Sequence, residues 1–141
     1  MEVRPFHPAD LDAFVVQPAQ AAELAAARRE YGENLRAYGP AWSGLVGGTL
    51  LIITGLVDLG GGRALAWSYL SVLAGRHMTA VTRAARAGLA KQPFRRVEMT
   101  ARADFPAAAR WAALLGFAYE GRLRSFFDDG GDADLFAMVQ P

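Results

Sequence analysis

The candidate proton-transfer groups of this sequence are one carboxylate and two phenols. Glu98 lies within Arg96–Thr100, a short run that predicts a strand, and it would act as a general base if it faced a cleft. The alternation of a strand equally allows Glu98 to lie on the exposed side as half of an ion pair. Tyr69 and Tyr119 are the candidate general acids, and each of them could instead be a packed aromatic whose hydroxyl group is satisfied.

The residue types do not favour nucleophilic or metal chemistry. The chain contains no cysteine, so a thiolate nucleophile, a disulfide and a thiolate metal site are excluded. Ser71 has no His and Asp in a partner pattern, and nucleophilic catalysis by this serine is not indicated. The two histidines, His7 and His77, lie far apart with no ligand spacing around them, so no metal site is expected.

Basic residues are concentrated in one segment of the chain. Arg76 to Arg102 contains seven Lys or Arg residues against one acid, Glu98, although the formal net charge of the whole chain is +1. This segment has the pattern of a helix with two faces. The apolar face is formed by Met78, Val81, Ala85 and Leu89, and the basic face by Arg76, Arg83 and Arg86. The arginines either contact phosphate groups of a ligand or form an ordinary solvated face. Nucleic-acid binding is not expected, because no aromatic side chains are interleaved with them.

The composition predicts one folded domain that spans residues 1–141. With 52% hydrophobic and 21% charged residues, the chain resembles a globular domain rather than a disordered tail. The most apolar stretch, Gly44–Leu59, is shorter than the ~20 residues that span a bilayer. The first residues lack the pattern of a secretory signal. We therefore expect no membrane association and a cytoplasmic location.

The last third of the chain predicts a strand, a helix and a strand, followed by a turn and a final strand. The helix tolerates Pro106 in its first turn, because the missing N–H would have no acceptor there. Gly116 can adopt a left-handed conformation and end the helix. The three strands and the turn are Arg96–Thr100, Phe117–Leu123, Leu135–Val139 and Asp128–Asp132.

The preceding part of the chain predicts a short strand, two helical segments and a β-meander. Pro8 suits the first turn of a segment that begins at His7–Leu11, and an Ala-rich helix follows at Ala19–Tyr31. Glycines separate the next apolar runs, as expected for tight antiparallel hairpins. The first strand and the three runs of the meander are Val3–Phe6, Ala41–Val46, Thr49–Asp58 and Ala64–Leu70.

The last third resembles the carboxy-terminal half of the GNAT superfamily of N-acetyltransferases. The order and spacing of short pieces carry the resemblance, namely Phe105-Pro106-Ala107-Ala108, Leu115-Gly116-Phe117, Glu120-Gly121 with Arg122-Leu123-Arg124, and Asp129-Gly130. The resemblance implies an α/β (α+β) fold with a mixed, mostly antiparallel central sheet flanked by helices.

Nearly the whole chain is also similar to the short GNAT-like proteins of tailed bacteriophages and prophages, a group that includes internal virion proteins of T7-like phages. The matching pieces are Gln17-Pro18-Ala19-Gln20, Ala74–Met78 and Arg110-Trp111. This resemblance implies that a GNAT fold can serve without catalysis.

The GNAT resemblance implies acetyl-CoA as the cofactor. In GNAT enzymes a loop of the form Q/R-x-x-G-x-G/A, at the start of a helix, directs backbone N–H groups at the pyrophosphate. The corresponding stretch here is Ser71–Met78, in which one glycine remains and His77 lies about where the second is expected. The implied cofactor contacts are made by Ser71, Val72, Gly75, Arg76, His77 and Arg83.

The same resemblance places the thioester carbonyl against the backbone of the central strand, about Tyr69–Val72. Two side chains that GNAT enzymes often use are replaced. The tyrosine that serves as general acid is Ala112 here, and the asparagine that opens the last helix is Phe105. Glu98, Tyr69 and Tyr119 therefore remain the catalytic candidates.

Two functions stay open on the sequence alone. The first is an acetyl-CoA-dependent N-acetyltransferase that acts on a small-molecule or protein amine in the host cytoplasm. The second is a catalytically inactive GNAT-fold protein that serves in a phage virion or its assembly and contacts virion proteins. Free sheet edges at the first strand and after Val139 would permit a homo-oligomer by strand addition.

Overall fold

The structure is a computed structural model that describes residues 1–31 and 38–141. Its strands are β1 (Glu2–Pro5), β2 (Ala41–Val46), β3 (Thr49–Gly60), β4 (Arg63–Leu70), β5 (Arg96–Arg102), β6 (Ala118–Leu123) and β7 (Ala133–Val139). Its α-helices are α1 (Ala21–Tyr31), α2 (Met78–Ala90) and α3 (Pro106–Leu115).

The strands form one sheet in the order β1-β2-β3-β4-β5-β7-β6. β4 and β5 are parallel, whereas β1 with β2, β2 with β3, β5 with β7 and β6 with β7 are antiparallel. The expected α/β (α+β) fold with a mostly antiparallel sheet and flanking helices is confirmed. Val139 pairs with Arg96 inside the sheet, so the second free edge is β6 and not the strand that ends at Val139.

Local signals in the sequence explain most element boundaries. The hairpin between β2 and β3 turns at Gly47 and Gly48, whose φ angles of 56° and 79° suit the tight turn that twisted strands require. In α2, Val81 on the apolar face is fully buried, while Arg76 just before the helix and Arg83 within it are exposed. The predicted two faces of this helix are confirmed.

The chain divides into two compact units. Unit 1 comprises Met1–Val57 and Trp67–Ala84, and unit 2 comprises Asp58–Ala66 and Ala85–Pro141. The expectation of one domain over residues 1–141 stays a prediction.

Unit 1 has an aromatic and aliphatic core of Phe6, Leu11, Phe14, Leu24, Ala41, Ile53 and Tyr69. The expected helical start near His7 is a single 3-10 turn, Pro8–Leu11. Its cap is reciprocal, because His7 Nδ1 accepts from the Ala9 N–H at 3.1 Å and the Asp10 carboxylate accepts from the His7 N–H at 3.0 Å. This turn brings Leu11 into the core.

In unit 2, α3 ends as expected at Gly116, which has φ 100° and ψ 12°. The Gly116 N–H donates to the Ala113 carbonyl and the Phe117 N–H to the Ala112 carbonyl, both at 3.0 Å.

Arg102 at the end of β5 then fixes the connection from β6 to β7. It pairs with Asp104 at 3.0 Å and Asp129 at 2.9 Å.

The expected half-buried strand at Phe117–Leu123 differs from the observed one. β6 begins at Ala118, is an edge strand, and its register against β7 shifts between Tyr119 and Gly121. An edge strand with a bulge has fewer neighbours, and Tyr119 is accordingly 58% exposed. Phe117, which precedes the strand, is buried instead.

Candidate functional site

The predicted cofactor loop is a compact turn between β4 and α2, within unit 1. Ser71 organises it, because its Oγ accepts from the Leu73 N–H at 3.0 Å and its carbonyl accepts from the Ala74 N–H at 3.0 Å. A single 3-10 turn, Gly75–His77, then leads directly into α2. His77 is part of this turn through its N–H, which donates to the Ala74 carbonyl at 2.8 Å.

Gly75 stands at the open start of this helical segment. Its φ is not in the left-handed region, and a Cβ at this position would meet nothing within 4 Å. The fold itself therefore does not require glycine here. The N–H groups of Gly75 and Arg76 precede the first helical hydrogen bond and have no acceptor within the helix. Such N–H groups, together with the helix dipole, favour an anion in the space before the helix.

The arginines of this helical segment divide into two kinds. Arg76 and Arg83 are exposed and have no hydrogen-bond or ion-pair partner among the described residues. Arg86 instead donates from Nη1 to the Leu114 carbonyl at 3.2 Å, near the end of α3. Arg76 and Arg83 are thus available to an anionic ligand, whereas Arg86 has a structural bond.

Tyr69 is placed in the core of unit 1. It is 8% exposed, and its ring centroid lies 5.9 Å from that of Trp67. The packed-aromatic interpretation of this residue agrees with its burial. Its role as a general acid stays a prediction.

Glu98, on β5 in unit 2, lies between two arginines. Its Oε1 accepts from Arg96 at 2.8 Å and from Arg63 at 3.0 Å. Chiefly the hydrogen bond from Arg96, and also the one from Arg63, lowers the pKa of Glu98 in spite of its partial burial. A lower pKa weakens a general base at neutral pH. This geometry favours the ion-pair alternative for Glu98.

Tyr119 also belongs to unit 2 and lies on the exposed edge strand β6. Its ring packs edge-on against Phe136, with centroids 5.8 Å apart. The structure therefore groups the predicted loop residues and Tyr69 in unit 1, and Glu98 and Tyr119 in unit 2. Within the described ranges no cluster of three or more His, Cys, Asp or Glu side chains could hold a metal.

No protein-family model and no curated protein matches the chain. Solved structures do match it over nearly its full length. An alanine N-acetyltransferase of a ribosomal protein from Escherichia coli is 16% identical with a TM-score of 0.72, covering 98% of this chain and 92% of that one. Ard1 from Thermoplasma volcanium is 19% identical with a TM-score of 0.70, covering 98% and 96%. A mutant of the spermidine N-acetyltransferase SpeG from Vibrio cholerae is 14% identical with a TM-score of 0.67, covering 99% and 95%.

The chain has the GNAT fold. At these identities the likeness establishes the fold alone, and the phage-specific resemblance stays a prediction. Among the helices that the structure describes, none combines the length and hydropathy that crossing a bilayer requires. In α3, Ala112 is fully buried at the position where GNAT enzymes often carry the acid tyrosine.

Acetyl-CoA is the cofactor that the sequence resemblance implies, and the residues present suit one end of such a ligand. The N–H groups of Gly75 and Arg76 at the start of the helical segment, and the exposed guanidinium groups of Arg76 and Arg83, suit its phosphates. The backbone N–H groups of Ser71 and Val72, the other implied contacts, are not available to the cofactor, because each already donates to a carbonyl of the chain. The Ser71 N–H already donates to the Leu51 carbonyl at 2.9 Å, and the Val72 N–H donates to the Val15 carbonyl at 3.0 Å.

Sequence reasoning noted Gln17 and Gln20 only as part of a matching piece and missed their role beside β4. Gln17 and Gln20 precede α1, and both make hydrogen bonds to β4. Isolated glutamines give no signal of such a role, because their partners lie about 50 residues further along the chain. A separate cleft of about 320 Å³ in unit 1 is lined by Ala13, Val15, Gly48, Thr49, Leu50, Ser71, Val72 and Leu73, and neither glutamine lines it.

Proposed function

We propose that this protein is an acetyl-CoA-dependent N-acetyltransferase. The observation that carries the proposal is the start of the α2 segment on a GNAT fold, where the Gly75 and Arg76 N–H groups have no acceptor within the helix and no side chain caps them. A Cβ added at Gly75 would meet no described atom within 4 Å, and the exposed Arg76 and Arg83 lack partners among the described residues. A CoA phosphate supplies the negative charge that both features favour.

In the proposed reaction each part of this site has a separate task. Gly75 allows close approach of phosphate to the N–H groups that begin the helix, and Arg76 and Arg83 balance its charge. The bound cofactor supplies an acetyl group activated as a thioester. The acceptor amine loses a proton and the departing sulfur gains one.

Proton transfer in the proposed reaction needs a substitute for the missing tyrosine. Ala112 has no acidic group, Tyr69 is buried in the core, and Glu98 is held by two arginines. We therefore propose that water or the substrate itself relays the proton. Tyr119 is exposed and remains a candidate acid.

The proposed acceptor is an amine of a small molecule or a protein. The printed names of similar structures cover both classes, since one concerns spermidine and another an alanine of a ribosomal protein. These substrates belong to those proteins and give this chain only a range of amines for screening.

A second candidate function is a GNAT-fold protein without catalysis, of which a phage virion or assembly component would be one form. Two observations favour it, the apolar Ala112 at the acid position and the hydrogen bonds that already occupy the Ser71 and Val72 donors. Cofactor binding separates the two candidates.

Titration calorimetry with acetyl-CoA and CoA at two salt concentrations tests the proposal. Binding should weaken at high salt, because exposed charge pairs are screened. Arg76→Ala should weaken CoA binding by about 1–3 kcal/mol, roughly 5- to 150-fold, as for the loss of a charged hydrogen bond.

Arg124→Ala is the matched control for that titration. Arg124 is exposed and lies in unit 2, after β6, so its removal should leave CoA affinity unchanged. Equal losses in the two variants would indicate a general charge effect rather than a site at Arg76. No binding at millimolar CoA would reject the enzyme and favour the second candidate.

A further inference from the structure

One edge of β4 in unit 1 faces away from β3. In a strand, the N–H and C=O groups of successive residues point to opposite edges. The Ser71 N–H donates to the Leu51 carbonyl of β3. The backbone groups of Leu70 and Val72 therefore point to the other edge. The GNAT resemblance assigns backbone in this part of the strand to the thioester end of the cofactor.

This edge is already occupied by the chain itself, through Val15–Gln20, here called the cover segment. The Val72 N–H donates to the Val15 carbonyl at 3.0 Å, and the Gln17 N–H donates to the Leu70 carbonyl at 2.8 Å. Val16 pairs with Ser71 in the antiparallel sense. The start of the cover segment thus behaves as a short added strand.

The side chain of Gln20 continues this pairing beyond the short strand. The Leu70 N–H donates to Gln20 Oε1 at 3.0 Å, and Gln20 Nε2 donates to the Ser68 carbonyl at 2.8 Å. Gln17 Nε2 donates to the same Gln20 Oε1 at 2.8 Å and orients it. A glutamine amide carries one acceptor and a donor group, as a peptide unit does, so Gln20 stands in for the peptide of a neighbouring strand.

We propose that the cover segment is an autoinhibitory contact, which must leave the edge of β4 before an acyl-CoA can bind there. The inference rests on the proposed N-acetyltransferase function. The pantetheine arm of CoA carries secondary amides, and these offer the same donors and acceptors as Gln20 and the Gln17 backbone. The cover segment and the arm therefore compete for the Ser68 and Leu70 backbone groups.

The structure limits how far the cover segment moves. Phe14 just before it is 8% exposed and Leu24 beyond it is 7% exposed, and both belong to the core of unit 1. Val15 itself is 68% exposed. Val16, within the segment, also packs against that core. Displacement therefore has to release Val16 from the core, while Phe14 and Leu24 stay in place. The affinity for CoA is reduced by the fraction of molecules in which the edge is covered.

Titration of CoA into Gln20 variants tests the competition. Gln20→Ala removes the two hydrogen bonds of the side chain to β4 and the one from Gln17, and Gln20→Glu keeps the length but sets an oxygen against the Ser68 carbonyl. Each variant should bind CoA about 10-fold more tightly than the parent protein, because the covered state loses about two hydrogen bonds. Gln92→Ala is the control, since Gln92 Nε2 also donates to a backbone carbonyl, that of Gly88, but in unit 2.

The outcomes separate the inference from the function on which it rests. Equal, measurable affinity in the parent protein and both Gln20 variants would overturn the autoinhibitory contact and leave the proposed function intact. Weaker binding in the variants would overturn it as well, since Gln20 would then assist the ligand. No binding by any of the proteins would overturn both proposals.

Amide hydrogen exchange gives a readout that needs no variant. At saturating CoA the Gln17 N–H should lose protection, because it leaves the Leu70 carbonyl, while the Leu70 N–H stays protected by the ligand. The Ser71 N–H, bonded to β3, should not change and serves as the internal reference. A Gln17 N–H that remains protected at saturating CoA would show that the cover segment has not moved, and would overturn the inference.

Discussion

Asp10 illustrates how one residue secures the start of the chain. Its carboxylate accepts from Arg4 Nη1 and Nη2 at 2.8 Å each, from Ser43 Oγ at 2.7 Å and from the His7 N–H at 3.0 Å. Asp10 as a whole is only 8% exposed. The hydrogen bonds from Arg4 above all, with those from Ser43 and His7, hold the pKa of Asp10 far below its ordinary value, although burial opposes them.

We expect Asp10→Asn to lower the free energy of unfolding by about 2–3 kcal/mol at neutral pH, since it leaves Arg4 without its charged partner. Because the pKa of Asp10 is lower in the folded state, its stabilising effect is complete above the unfolded pKa of about 3.9. The effect is lost as pH falls from there toward the folded pKa. Thermal unfolding from pH 7 to pH 2 should therefore show the two proteins converging in acid.

Asp104→Asn is the control for this measurement. The Asp104 side chain is 72% exposed, and an exposed ion pair contributes about 0–1 kcal/mol. A change at Asp104 as large as the one at Asp10, or a difference between parent and Asp10→Asn that does not shrink between pH 7 and pH 2, would contradict the role assigned to Asp10.

At the scale of elements, a glycine at the end of α3 and a glycine inside α2 should have opposite effects on stability when they are replaced. Gly116 ends α3 with φ 100°, and a Cβ there would make only ordinary contact with Met138 Cε at 3.4 Å. Gly88 lies inside α2, has no left-handed φ, and a Cβ there would meet nothing within 4 Å. Backbone conformation, rather than space, therefore distinguishes the two positions.

We expect Gly116→Ala to lower the free energy of unfolding by about 1–2 kcal/mol, the cost of a left-handed conformation for a residue with a Cβ. Gly88→Ala should raise it by about 0.5–1 kcal/mol, because alanine favours the helix. Urea denaturation of both variants measures this. A Gly116→Ala variant as stable as the parent, or more stable, would show that the end of α3 does not depend on the left-handed backbone, and a destabilised Gly88→Ala would contradict the expectation for α2.

At the scale of the whole molecule, β1 and β6, the outer strands of the described sheet, have features that resist strand addition. β1 has four residues and ends at Pro5, which has no N–H to donate. β6 has a register shift between Tyr119 and Gly121 and carries Glu120 and Arg122 in ion pairs. Bulges and charges of this kind protect sheet edges from pairing.

We therefore expect the protein to sediment as a monomer of 15.2 kDa, in contrast to the homo-oligomer that free edges would permit. Sedimentation equilibrium over a range of protein concentrations measures this. A stable dimer of the parent protein would contradict this expectation. Unchanged sedimentation of Glu120→Ala and Arg122→Ala would show that the charges of β6 do not control association.

The sequence by itself determined the elements and the class of the fold. Periodicity and glycine turns act between near neighbours, and they placed the bounds of β2 correctly and those of β3 and β4 within two residues. The signals at Pro106 and Gly116 likewise gave both ends of α3. The predicted loop at Ser71–Met78 was also found between β4 and α2, because its turn chemistry is local.

Only the tertiary structure decided what surrounds the candidate residues. The partner of Glu98 on β4 is Arg63, 35 positions away, and the partner of Leu70 is Gln20, 50 positions away. Such bonds depend on strand order and register, which no local pattern encodes. The exposed position of Tyr119 follows from an edge strand and its bulge for the same reason. Residue types thus indicated which groups have suitable chemistry, while long-range packing decided which of them remain free to use it.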